Sequence, residues 1–202
     1  MKAFSLFINF FLTFLTYNRR AFYHKGFKMR KLLFSVVVAA TLLNAGIYEV
    51  DPSSQVGFEI KHLKLTKVEG SFKQFSGTVD YENGALNALD GSVEISSVDT
   101  GIQKRDDHLK ANDIFDQAKF PQMSFKMTSF ANGKMNGDLS IKGVSKPVVF
   151  DASIQENGKD LTIIATGTIK RSDFGVVWES NLQDSMVGDE LTIKLNLLAK
   201  SK

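Results

Sequence analysis

The chain has no cysteine. It has no disulfide framework to draw on, and both thiol catalysis and thiolate metal sites are excluded. Proline is nearly as scarce, with Pro52, Pro121 and Pro147 the only three in 202 residues. Each stands near the start of an extended pattern, where a missing backbone N–H is tolerated. Beyond residue 45 only His62 and His108 represent histidine. With no HExxH, HxH or CxxC, zinc and copper have few ligands available. Neither GxSxG nor SxxK occurs, which removes the common serine nucleophile arrangements. GxxxxGK and GxGxxG are missing as well, and with them the phosphate-cradling loops. The first 45 positions lack acidic residues but carry seven Lys or Arg. Residues 46–202 hold 18 basic and 22 acidic residues, so the formal charge of +3 for the chain becomes −4 over that part. A nucleic-acid partner argued from the basic isoelectric point loses its basis, and none is expected.

The basic head has a targeting pattern. Arg30-Lys31 precedes LLFSVVVAATLLNA, an apolar run of signal-core length, and Ala45 suits the −1 position of a cleavage site before Gly46. Residues 29–45 are expected to be a signal peptide starting at Met29. Residues 1–28 are expected to be an upstream extension, not translated or not retained. The alternative is an amphipathic or membrane-anchoring extension, although its apolar run is short for a span of about 20 residues. Residues 46–202 then form the folded domain, exported to the periplasm or beyond. A chain of about 150 residues buries roughly 68–70% of its unfolded surface, enough for a core without disulfides.

From residue 46 on, period-two alternation dominates. Val56, Phe58 and Ile60 alternate with smaller or charged residues, as do Val93 and Ile95, then Met123, Phe125 and Met127. Val148, Phe150, Ala152 and Ile154 form another set, and Leu191, Ile193, Leu195 and Leu197 the last. Such strands turn one face inward and one to water, as in antiparallel sheets. Asn-Gly at 83–84, 132–133 and 157–158 separates strand patterns and suits type I′ hairpin turns. Asn136-Gly137 follows its neighbour too closely for another hairpin and predicts a bulge or kink. The fold class expected is all-β: a single extended antiparallel eight-stranded barrel with one or two short helices between strands. An eight-stranded barrel is either filled by its side chains or left open for one small ligand.

The stretch RDDHLKANDIFDQAKFP, 105–121, breaks the alternation. Ile102 and Leu109 are seven apart, on one helical face, and Asp99 or Thr100 stands where a cap belongs. A short helix is expected over 104–110. Asp106 and Asp107 are neighbours and do not face each other on a helix, so they are badly placed to flank one bond. A weak metal site from His108 with Asp106 or Asp113 is a lesser alternative. An enzyme acting through His108 and the neighbouring aspartates is the competing functional reading.

Six segments resemble the YceI family: YEVDPSSQVGFEIKHL at 48–63, GSFKQFSGTVDY at 70–81, SSVDTGIQKRDDHLKANDIFDQAKFPQMSFKM at 96–127, GDLSIKGVSKPVVF at 137–150, RSDFGV at 171–176 and VGDELTIKLNLLA at 187–199. They come in the family's order over essentially residues 47–200. The resemblance implies a lipocalin-like barrel, although the early Gly-x-Trp motif of true lipocalins is missing. It implies a periplasmic or secreted protein that binds an amphiphilic long-chain lipid, such as a polyisoprenoid or a quinone, as its ligand with no other cofactor. A stress-linked role serving a partner protein has no supporting feature in the chain. Where the family usually has His, this chain has Lys142.

On that reading Phe58, Ile60, Phe72, Val93, Ile95, Phe125, Met127, Leu139, Ile141, Phe150 and Ile163 line the apolar channel. Ile163 competes with Ile164 for the inward side. Arg105, His108, Lys142, Arg171 and Asp173 are candidates for the polar end, with Arg171 and Asp173 alternatively pairing with Asp106 and Arg105 to brace the rim. Burying one isoprene unit from water is worth roughly 3–4 kcal/mol, at about 0.8 per carbon. A tail drawn from a bilayer is already dry, which favours a carrier or scavenger with transient membrane contact over a tight store. The chain is expected to be a monomer or homodimer.

Overall fold

The computed structural model describes residues 46–62, 66–177 and 186–201. The expected extension and signal peptide, 1–28 and 29–45, lie outside these residues. The strands are β1 (Gly46–Val50), β2 (Gln55–His62), β3 (Thr66–Phe72), β4 (Phe75–Glu82), β5 (Ala85–Glu94), β6 (Val98–Asp99), β7 (Gln122–Ala131), β8 (Lys134–Ile141), β9 (Val144–Asn157), β10 (Asp160–Lys170) and β11 (Val187–Ser201).

These pieces make eight lines around a barrel. β1 and β2 both pair with β11, β1 at Val50↔Ala199 and β2 from Gln55↔Asn196 onward, so they are one strand line broken at 51–54. β4 pairs with β1 and β3 with β2, which makes the second line. β6 carries the line of β5 on beside β3 after the 3-10 turn η1 (Ile95–Ser97). β7, β8, β9 and β10 follow in order, and β11 closes the ring. The result is a closed eight-stranded antiparallel barrel, and closure removes the free edges that an open sheet would expose. At the 51–54 break the ladder is interrupted, and Ser54 fills in. Its hydroxyl accepts the Leu198 N–H at 2.9 Å.

Turn chemistry accounts for the hairpins. Asn83-Gly84 and Asn132-Gly133 have positive φ at both residues, as type I′ turns require. Lys142-Gly143 does the same between β8 and β9, a turn that its Lys-Gly pair does not announce. At 157–158 only Gly158 has positive φ. The irregularity expected at Asn136-Gly137 is there, with the extra residue on the neighbour: Met127 pairs with Gly137 and Ser129 with Asn136, leaving Thr128 over.

The charged stretch forms α1 (Gln103–Lys110) and the turns after it, crossing from β6 to β7. Neither expected residue caps α1. Ile102 holds the N-cap position without a side-chain bond. Instead Asp99 accepts the Gly101 N–H at 2.9 Å, and Asp106 reaches back from the first turns to accept the Thr100 N–H at 3.0 Å. The reversed arrangement still satisfies backbone donors at the helix entry. A 3-10 turn, η2 (Arg171–Phe174), joins β10 to the connection before β11.

The inward apolar side chains pack in two clusters. One, at the end closed by the Asn-Gly turns, contains Val79, Leu86, Met127, Met135, Leu161 and Ile163. The other, at the end of α1 and η2, contains Phe72, Ile95, Ile114, Leu139, Ile141 and Phe174. Ile163 is fully buried and Ile164 is 46% exposed, which settles which of the two faces inward.

Candidate functional site: an apolar cavity with a basic rim

A cavity of about 650 Å³ occupies the barrel at the α1 end. Of the residues expected along a channel, Phe58, Ile60, Phe72, Val93, Phe125, Leu139, Ile141 and Phe150 are on its wall. Ile95, Met127 and Ile163 are not; they are packed into the two clusters, with Ile95 and Ile163 fully buried. Leu89, Phe150 and Leu197 belong to the packed cluster and also touch the cavity, so they form its floor.

The wall stays hollow because its rings lie flat. Phe58, Phe125 and Phe150 each sit over an inward-facing glycine of a neighbouring strand. A Cβ at Gly70 would stand 2.3 Å from the Phe58 ring, one at Gly137 2.3 Å from Phe125, and one at Gly167 2.7 Å from Phe150. No larger residue fits beneath those rings. Phe125 and Phe150 meet edge to face at 5.4 Å, a favourable aromatic geometry.

The rim is basic. Lys104, Arg105, His108 and Arg171 reach the cavity there, while Asp90, exposed beside Gly91 in mid-β5, touches it farther along the barrel. Arg105 is held through Thr100: its Nε donates to the Thr100 hydroxyl at 2.7 Å and its Nη2 to the Thr100 carbonyl at 2.7 Å. The Thr100 hydroxyl in turn donates to the buried Asp106. Arg105 Nη1 keeps a free donor among the described residues. His108 Nε2 lies 2.8 Å from Asp113 Oδ2. That bond holds the Asp113 carboxyl below the usual carboxylate range, against partial burial.

The remaining polar candidates serve the frame. Arg171 is buried and donates to the carbonyls of Val176 at 2.7 Å, Gly188 at 3.0 Å and Val187 at 3.2 Å. The expected pairing of Arg171 with Asp106 does not occur, because Asp106 is taken by Thr100. Nor does Asp173 pair with Arg105; it is exposed and away from the wall. Lys142 bridges the carbonyls of Asp113, at 3.2 Å, and Gly175, at 3.4 Å, tying the crossing to η2 outside the cavity. Neither Asp106 nor Asp107 bonds to His108; Asp107 pairs with Gln103 and Lys110. No group of three or more His, Asp or Glu among the described residues is arranged to hold a metal. No helix among them is long and apolar enough to cross a membrane.

The model for the YceI-like domain matches residues 48–199. The chain belongs to the YceI family. It is 35% identical to a UPF0312 protein of Photorhabdus laumondii over 166 residues, covering 72% of this chain and 86% of that one. It is 33% identical to Protein YceI of Escherichia coli, covering 73% and 88%. Among solved structures it is similar to Burkholderia cenocepacia BcnA, with TM-score 0.69 and 30% identity, over 75% of this chain and 99% of that one. A polyisoprenoid binding domain from Saccharophagus degradans shares the fold, with TM-score 0.63 and 15% identity, over 77% and 98%.

Several wall residues of this YceI-family barrel were not among those expected. Leu191, Ile193 and Leu195 carry the period-two signal that would have placed them there. Ile102, Leu109 and Phe115 come from the crossing, whose relation to the lumen no local pattern encodes.

Proposed function

We propose that this protein binds one amphiphilic lipid, with its tail in the cavity and its head at the Arg105–His108 rim. It acts as a periplasmic carrier or scavenger, takes up its ligand through transient membrane contact and needs no cofactor besides that ligand. The observation that carries this reading is the cavity itself: hollow, almost wholly apolar and edged with cations at one end. A cavity of about 650 Å³ lies within the roughly 300–1,000 Å³ of small-molecule sites, room for a substantial apolar tail. A longer tail would reach out of the mouth. The spare donor of Arg105 and the imidazole of His108 suit a hydroxyl, carbonyl or acidic head. The Saccharophagus neighbour, named for polyisoprenoid binding, supports an isoprenoid as the first probe.

The test is organic extraction of the purified protein, followed by mass spectrometry of the extract. One amphiphile close to equimolar with the protein is expected. A lipid-free extract from protein that also takes up neither geranylgeraniol nor a short-chain menaquinone overturns the reading. Osmotic-shock fractionation checks the location, with the protein expected in the periplasmic fraction.

A further inference from the structure

Gly70, Gly77, Gly91, Gly137 and Gly167 lie on inward-facing positions of barrel strands. A glycine inside a strand is less favourable than alanine, so each calls for a physical reason. Gly70, Gly137 and Gly167 seat aromatic rings. Gly77 has no room for a side chain, because a Cβ there would be 2.9 Å from both the Asp90 carbonyl oxygen and a Val50 methyl. Gly91 is different. Its φ is not in the left-handed region, and a Cβ would meet only the Ser76 carbonyl oxygen, at an ordinary 3.5 Å. Neither backbone conformation nor packing requires glycine at this position.

Gly91 faces Gly77 directly across β4 and β5, and both line the cavity. Leu89 and Val93, two residues to either side on the same face, also touch the cavity. At this level the lumen therefore reaches bare backbone, while elsewhere it is covered by rings. A strand glycine that the fold does not need marks close approach by something else.

We infer that Gly91 is a ligand-contact residue: the lipid tail lies against the bare β4–β5 backbone at Gly77–Gly91, and the missing side chain at 91 sets the width of tail admitted. This rests on the lipid-binding reading above. A side chain at 91 takes the space of the tail without straining the barrel.

The experiment compares wild type with Gly91→Leu and with Thr78→Leu, an exposed position beside Gly77 that does not touch the cavity. The probe is geranylgeraniol, read by isothermal titration, with thermal unfolding in parallel. Gly91→Leu is expected to lose affinity at least tenfold with Tm unchanged or raised, and Thr78→Leu to bind as wild type does. Gly91→Leu protein that is folded and binds within twofold of wild type overturns the inference and leaves the lipid-binding reading standing. Wild type that yields a lipid-free extract and takes up neither geranylgeraniol nor a short-chain menaquinone overturns both. If Gly91→Leu does not fold, Gly91→Ala decides: affinity at least threefold weaker supports the contact, and unchanged affinity overturns it.

Discussion

The two ends of the barrel are built from the same alternating strands, yet one is solid and the other hollow. At the solid end, tight turns draw the strands together, and Met135, Leu161 and Ile163 pack in one cluster with at most 1% of their surface exposed. At the hollow end the Lys142-Gly143 turn joins β8 to β9 at the rim, but Lys142 reaches outward to the Asp113 and Gly175 carbonyls and does not fill the mouth. The α1 crossing and η2 hold the rim, Arg171 and Lys142 use their donors on backbone carbonyls, and the aromatic rings lie flat on glycines. The difference lies less in hydrophobicity than in what stands across from each residue. A phenylalanine over a glycine lines a cavity, whereas Met135, paired with Phe130 on one side and Phe150 on the other, fills the lumen.

The largest expected effect tests that contrast by truncation. Ile163→Ala should destabilise by about 2–5 kcal/mol, as a fully packed site does. Val93→Ala on the cavity wall should cost about 1 kcal/mol or less, because fewer atoms surround it. Urea unfolding of the two variants measures this, and equal losses would erase the distinction between the ends. Next comes the frame of the hollow end. Arg171→Ala should cost about 2–3 kcal/mol, since buried carbonyls lose a charged donor, with Arg171→Lys recovering only part because one ammonium cannot reproduce the guanidinium fork. Arg105→Gln should leave stability nearly unchanged and weaken geranylgeraniol binding by about tenfold, the scale of one charge-assisted hydrogen bond.

The smallest effect concerns a clasp on the outer face. Glu59 accepts from Lys194 at 2.8 Å and from Lys67 at 2.6 Å, and these bonds hold its carboxyl down at about 2. A carboxylate depressed in the folded state stabilises above its unfolded pKa, about 4.3, and that contribution is lost as pH falls through the folded value. Glu59→Gln should therefore lower Tm slightly at neutral pH. The gap from wild type should close as pH falls from about 4 toward 2, and a gap that persists there would mean that the charge is not its source.

Much of this architecture is legible in the chain. Alternation reveals the strands, their number and their inward faces, because side-chain direction in a strand is a local property. Asn-Gly pairs reveal three of the hairpins for the same reason, two of them with the expected turn type. What stays hidden is nonlocal. The seats of Phe58, Phe125 and Phe150 depend on which glycine the barrel brings beneath them. Ile95, Met127 and Ile163 carry the same inward signal as the cavity wall, yet they are packed because of what faces them. His108 pairs with Asp113, one of the two aspartates that the sequence offers it, because the turn after α1 brings Asp113 back to it; the spacing alone does not choose between Asp113 and Asp106. Lys142 looked like a head-group residue by its place in a motif, but its turn aims it at the outer brace.

Native mass spectrometry of the intact protein with geranylgeraniol tests the central claim most directly. A single added mass of one ligand per chain, saturating, at least tenfold weaker in Gly91→Leu and kept in Thr78→Leu, is the predicted result. No adduct, or adducts that grow in number without saturating, would contradict a lipid held inside the barrel.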